Sequence, residues 1–139
     1  MPSIAVDAGL LVALFDRRDN HHASAKEFFR TTDATFVTNI AVLTELAYLL
    51  SFSAAAVNDA LVWIGTAFDI DGHTGSDLPR IVDIMAKYSD LPADFADAAL
   101  LAMCERANIG AIATFDKDFL VYRLGNGNTL RNVLQNPEA

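Results

Sequence analysis

Short β-branched and apolar runs alternate along this chain with stretches whose apolar residues recur at helical spacing, and that alternation restricts the fold more than any other feature. Residues 3–6, 36–38, 68–71, 111–115 and 129–134 read as strands. Between them, residues 10–15, 21–30, 40–52, 53–68, 77–88 and 94–107 read as helices, with a shorter helical piece at 118–122. Strands that alternate with helices form parallel sheets, because each crossover between parallel neighbours needs the length that a helix supplies. The expectation is an α/β fold, one domain spanning residues 1–139, without internal repeat or interdomain linker. Asn20 and Asn39 stand where helix N-caps belong, and Gly110 stands near the C-cap of the alanine- and leucine-rich helix 94–107. The helix 40–52 is apolar nearly all round, which predicts that it is largely buried. Residues 89–92 break the helical pattern, and Gly125-Asn126-Gly127-Asn128 is a turn.

Charge narrows the function. With 18 acidic residues against 10 basic ones the net charge is −8. Proteins that grip nucleic acid along its backbone are normally basic, because phosphate contacts dominate that affinity. A chain this acidic can act on nucleic acid only over a short contact bridged by cations, or with its acidic surface covered by a basic partner. No apolar run approaches the roughly 20 residues of a membrane span. The start, Met1-Pro2-Ser3-Ile4, lacks the basic region of a signal peptide, and Asp7 interrupts the first apolar run. The single Cys104 reads as a small buried hydrophobe and fits a reducing cytoplasm.

The acids carry the chemistry. Asp7 and Asp116 each follow a predicted strand, and side chains at the carboxyl ends of parallel strands converge where the strand order reverses. Taken singly, a turn-initiating aspartate explains each of them better. Asp94 and Asp97 stand three residues apart at a helix start and so face the same way. The cap and the helix dipole account for one acid there, whereas the second adds like-charge repulsion unless a cation or base intervenes. Asp97 reads as the deeper of the two, and Asp94 as a cap or outer helper. Glu45, in the middle of the most apolar helix, is the hardest to explain away, since an isolated carboxylate is costly to desolvate. Its alternative is an ion pair with Arg106 or Arg123. Carboxylates without His or Cys suit Mg²⁺ or Mn²⁺ rather than zinc. Two such ions about 4 Å apart can activate water and stabilise the leaving oxygen in phosphodiester cleavage. Thr38 and Thr114 stand beside the proposed site as partners for a water or carboxylate, or as ordinary strand threonines. Asp118 takes a surface or supporting position.

Other features carry less. His21-His22 has no third metal ligand at a suitable spacing and reads as a helix start packing near the sheet. Gly125-Asn126-Gly127 is not a dinucleotide fingerprint, and there is no phosphate-binding lysine loop or serine elbow. Arg17, Arg18, Lys117 and Arg123 either surround the acidic end or face solvent. Leu10, Leu11, Leu14, Phe15, Val57, Leu61 and Trp63 exceed what one face of a small sheet needs; core packing and a dimer interface are the two explanations.

A set of segments in this order resembles the PIN-domain family, and within it the toxin ribonucleases of VapBC-type toxin–antitoxin pairs. They are Val6-Asp7-Ala8-Gly9-Leu10-Leu11-Val12-Ala13-Leu14, His21-His22-Ala23, Val42-Leu43-Thr44-Glu45-Leu46-Ala47 and Met85-Ala86-Lys87-Tyr88-Ser89-Asp90-Leu91-Pro92. The last two are Asp94-Phe95-Ala96-Asp97-Ala98 and Ile112-Ala113-Thr114-Phe115-Asp116-Lys117-Asp118-Phe119. The resemblance covers nearly the whole chain. It implies a central parallel sheet of order 3-2-1-4-5 with helices on both faces, and Mg²⁺- or Mn²⁺-dependent endonucleolytic cleavage of RNA. It implies that Asp7 and Asp97 are the main metal ligands, that Asp116 assists, and that Glu45 orients or deprotonates the attacking water or ligates a second ion. It further implies a homodimer and a cognate antitoxin that sets a basic side chain in the acidic pocket. Two other readings compete: a phosphatase-like domain, for which Lys117 follows Asp116 too directly, and a catalytically silent binding module of the same fold.

Overall fold

The first apolar run becomes the central strand. In the computed structural model, which describes residues 1–91 and 93–134, β1 (Ser3–Val6) pairs in parallel with β2 (Thr35–Asn39) on one side and β4 (Ala111–Ala113) on the other. β3 (Asp69–Asp71) extends the sheet beyond β2, and β5 (Arg131–Asn132) extends it beyond β4. The order is β3-β2-β1-β4-β5, parallel throughout. After β1 the chain therefore builds outward through β2 and β3, then returns to the other side of β1. The reversal falls between β1 and β4, where a crevice opens at the carboxyl ends of the strands.

Among the described residues six α-helices make the connections: α1 (Ala8–Phe15), α2 (His22–Thr31), α3 (Ile40–Leu49), α4 (Ala54–Ala67), α5 (Leu78–Lys87) and α6 (Phe95–Ala107). α1 packs on α2, α3 and α4, while α5 packs on α6 and α3 touches both groups. Every residue of α6 from Ala98 to Cys104 is buried, which is why that helix is built of alanine, leucine and methionine and shows little polar face. Its far end is tied down by Arg106, which pairs with Asp71 at 2.7 Å and with Asp77 at 2.8 Å, linking β3 and the start of α5 to α6.

Local chemistry fixes the helix ends, in places by residues other than the expected ones. Asn39 caps α3 as predicted, accepting from the Val42 N–H at 3.1 Å. Asn20 does not cap α2; Asp19 accepts from the His21 N–H at 2.8 Å, and α2 begins at His22. Asn108, not Gly110, takes the left-handed conformation after α6 (φ 55°, ψ 42°), as short polar side chains do. The strand expected over 111–115 stops at Ala113, because Thr114 turns its backbone to the Asn132 side chain instead. The last strand is likewise only Arg131–Asn132, and the piece expected at 118–122 is a 3₁₀ turn over Lys117–Leu120. Of the predicted break at 89–92, residues 89–91 form a turn and Pro92 lies outside the described residues. In the turn 125–128, Gly127 holds φ 85°, a conformation that side chains disfavour.

One expectation about burial needs correction. α3 is not buried all round: Ile40 is 60% and Tyr48 76% exposed, with Leu49 also open. Apolar composition therefore hides a solvent face on this helix. Leu10 and Leu11 lie fully within the core and are not available to a dimer interface; Leu14, Phe15, Val57 and Trp63 pack partly buried against it, and Leu61 is open. Cys104 is buried as predicted. Among the described residues no helix is long and apolar enough to cross a membrane.

Candidate active site

At the crevice between β1 and β4 the chain assembles a cavity of about 340 Å³ lined by Asp7, Asp19, Glu45, Asp94, Asp97 and Asp116. Ala8, Gly9, His21, Leu49 and Phe115 complete its wall. Asp7 arrives at the end of β1 and caps α1, accepting from the Leu10 N–H at 3.0 Å. Its other oxygen accepts from the Thr114 hydroxyl, which in turn accepts from the Asp116 N–H at 2.9 Å. One threonine hydroxyl thus joins the two acids at the ends of adjacent strands. Thr114 is itself clamped by Asn132, whose amide donates to the Thr114 carbonyl at 2.8 Å and accepts from the Thr114 N–H at 3.3 Å.

The helices deliver the remaining acids. Asp94 caps α6, accepting from the Asp97 N–H at 2.8 Å, so the reading of Asp94 as a cap holds. The cap does not remove it from the site: Glu45, Asp94 and Asp97 each offer a carboxylate oxygen, and these oxygens lie within 4.8 Å of one another. Glu45 makes no ion pair among the described residues. Arg106 is taken up by Asp71 and Asp77, and the Arg123 guanidinium bonds to the Gly127 carbonyl. The cavity wall carries no lysine or arginine among the described residues, so Arg17, Arg18, Lys117 and Arg123 do not line it. Thr38 is buried and donates to the Val6 carbonyl at 3.3 Å, which supports the backbone just before Asp7. Asp118 donates its N–H to Asp116 at 2.9 Å, and its carboxylate lies outside the cavity wall.

Like charges in a poorly hydrated space are hard to ionise. Burial pushes Asp7 up to about 6, against the opposing hydrogen bonds from Thr114 and Leu10. Glu45 rises to about 7, through burial and then its contact with Asp94. Asp97 rises to about 8, through burial and then the charges of Asp94, Asp116, Glu45 and Asp7. A set of carboxylates that resist ionisation together and present only oxygen atoms fits a hard divalent cation, which would neutralise them and hold them at the observed spacing.

Sequence reasoning missed Asp19, His21 and Asn132. Asp19 and His21 reach the cavity from the loop between α1 and α2, and the His21 ring stacks on Phe115 with centroids 4.1 Å apart. His22 instead packs inward, its Nδ1 lying 2.8 Å from the Ala13 carbonyl oxygen. Nothing local marks Asp19, whose approach depends on how that loop folds back. Asn132 did carry a signal, being an amide inside the predicted strand 129–134.

Residues 4–124 match the PIN domain, so the fold, the acid-lined crevice and the sequence agree, and the chain belongs to the PIN-domain family. Its resemblances within that family are VapC-like. Ribonuclease VapC26 of Mycobacterium tuberculosis is 25% identical over 115 residues, spanning 81% of this chain and 85% of that protein. The solved structure of Mycobacterium tuberculosis VapC20, a toxin that cleaves the sarcin–ricin loop, superposes with a TM-score of 0.77 at 25% identity, covering 85% of this chain and 93% of that one. VapBC2 of Rickettsia felis, solved bound to a DNA fragment from its promoter, shares the fold with a TM-score of 0.63 at 14% identity, over 86% of this chain and 92% of that one.

Proposed function

We propose that this chain is a Mg²⁺- or Mn²⁺-dependent endoribonuclease and the toxin of a type II toxin–antitoxin pair, acting in the cytoplasm. The observation that carries the reading is the convergence of Asp7, Glu45, Asp97 and Asp116 from β1, α3, α6 and the end of β4 onto one cavity, with three of the four held above their ordinary ionisation range. The ribonuclease and toxin descriptions of VapC26 and VapC20 support it. Divalent ions at such a site polarise the phosphodiester and lower the pKa of a nearby water. Asp7, Asp97 and Asp116 would hold the cation. Thr114 keeps Asp7 and Asp116 in register, and Glu45, with a carboxylate oxygen within 4.8 Å of those of Asp94 and Asp97, would orient the attacking water or accept its proton. Asp94 positions Asp97 through its cap and adds to the negative field. An acidic cavity whose wall carries no lysine or arginine among the described residues suits a partner that inserts one, and an antitoxin with a basic segment fills that role. The protein would work as a homodimer.

The test is cleavage of a mixed RNA pool by the purified protein with Mg²⁺ or Mn²⁺ and with EDTA, beside an Asp97→Asn control. Cutting that requires the metal and Asp97 is expected. A folded protein that neither cuts RNA nor binds the metal overturns the reading and leaves a silent binding module in its place.

A further inference from the structure

Eleven residues line the acid cavity among the described residues, and one of them differs in kind from the rest. Six are carboxylates, which only accept hydrogen bonds once a cation has displaced their protons. Ala8, Gly9, Leu49 and Phe115 offer no polar side chain. His21 is the remaining one, and it brings the wall its N–H side chain.

The fold holds His21 in that place. Its backbone N–H donates to Asp19 at 2.8 Å, and its carbonyl accepts from the Ala25 N–H at 2.9 Å. Its ring lies on Phe115 with centroids 4.1 Å and planes 15° apart. Phe115 immediately precedes Asp116, so the stack ties the loop between α1 and α2 to the strand end that carries one of the acids. Stacking engages a face of the imidazole, whereas its nitrogens lie on the ring edge. Neither nitrogen makes a hydrogen bond among the described residues, and the residue is exposed. His22, by contrast, commits its Nδ1 to the Ala13 carbonyl.

A phosphodiester that enters this cavity is an anion, and its nonbridging oxygens need donors that the acids do not supply. A hydrogen bond to an ionised acceptor is roughly twice as strong as one between neutral groups. An imidazole carries at least one N–H in either protonation state, so such a role needs no change of charge.

We propose that His21 is a substrate-binding residue of this site, its ring N–H donating to a nonbridging oxygen of the RNA phosphodiester at the acid cluster. The inference rests on reading the protein as a ribonuclease. The stack on Phe115 fixes the ring before RNA arrives, which reduces the freedom lost on binding.

The experiment compares wild type, His21→Phe and His21→Gln. Phenylalanine keeps an aromatic ring on Phe115 without a donor, and glutamine keeps an N–H without the ring. Cleavage of a mixed RNA pool at sub-saturating concentration in Mn²⁺ reads kcat/KM. Calorimetric titration of Mn²⁺ and thermal melts in EDTA accompany it. We expect His21→Phe to lower kcat/KM about ten-fold and His21→Gln to restore it to within about three-fold of wild type. All three proteins should bind Mn²⁺ equally and melt alike. A His21→Phe protein that cleaves as wild type does overturns the role of His21 and leaves the ribonuclease reading standing. Equal impairment of both variants also overturns it, because ring shape then matters and the donor does not. Weaker Mn²⁺ binding by His21→Phe, or a melting temperature well below wild type, overturns it as well, by assigning the ring edge to the cation site or to the fold. A wild-type protein that cuts no RNA in Mn²⁺ overturns the ribonuclease reading and this inference with it.

Discussion

Asp7 performs a structural and a chemical task with one side chain, and the two can be separated by mutation. One oxygen caps α1 and the other meets the Thr114 hydroxyl, while burial opposes its charge. Asp7→Asn keeps an oxygen for the cap and removes the charge. Its melting temperature without divalent ions should therefore match the wild type or exceed it by a few degrees, while RNA cleavage falls by about 100-fold. Melting curves and cleavage rates on the same preparations check this. A variant that loses its fold would show that the carboxylate serves structure first. Thr38 stands apart from the acids, since its hydroxyl is engaged by the Val6 carbonyl.

At the scale of elements, the site depends on how strand ends are clamped. β4 and β5 contribute only three and two residues of regular strand, yet the Asn132 amide bonds both backbone groups of Thr114 and so fixes the hydroxyl that links Asp7 to Asp116. Asn132→Ala should lower stability by about 2 kcal/mol, near 1 for each of the two bonds to Thr114. It should also reduce cleavage, although Asn132 touches no acid; urea denaturation beside a cleavage assay tests both halves, and unaltered cleavage would discount the clamp. Asn39 has a comparable place in the neighbouring element. It caps α3, which carries Glu45, and its amide reaches the Ala99 carbonyl of α6 at 3.3 Å. Asn39→Ala should cost about 1–2 kcal/mol in the same denaturation experiment; a smaller loss would mean that packing alone seats α3 on α6.

For the whole molecule, the acid cluster links stability to pH and to metal. Asp7, Glu45 and Asp97 have folded-state pKa values raised to about 6, 7 and 8 from ordinary values of 3.8, 4.5 and 3.8. The folded protein thus holds protons that the unfolded chain releases. Its stability is fully present below about pH 4 as far as these groups are concerned, and is lost progressively as pH rises to about 8. Melting temperature in EDTA should fall between pH 5 and pH 8, and Mn²⁺ should restore more at pH 8 than at pH 5, because binding to the folded state adds stability by mass action. A melting temperature that rises over that interval in EDTA would contradict the electrostatics of the cluster. The net charge of −8 acts in the same direction as the local repulsion.

Much of this architecture is legible along the chain because it depends on local properties. Strand and helix periods, the Asn39 cap and the acids that interrupt apolar runs are all read within a few residues of each other, and they suffice for an α/β sheet with Asp7 and Asp116 at strand ends. The order of the strands and the gathering of Glu45 and Asp97 were anticipated through family resemblance, since no local period encodes which strands become neighbours. Other features had no local signal at all. The exposed face of α3 exists because nothing among the described residues packs on Ile40 and Tyr48, and apolar composition cannot report that. Asp19 and His21 join the cavity because a loop folds back toward β4, and the Tyr122 hydroxyl, set among aromatic rings, has no hydrogen-bond partner among the described residues. Sequence by itself determined which elements form and which residues carry charge. Only the tertiary structure decided which charges meet, because ionisation and hydrogen bonding depend on neighbours far away along the chain.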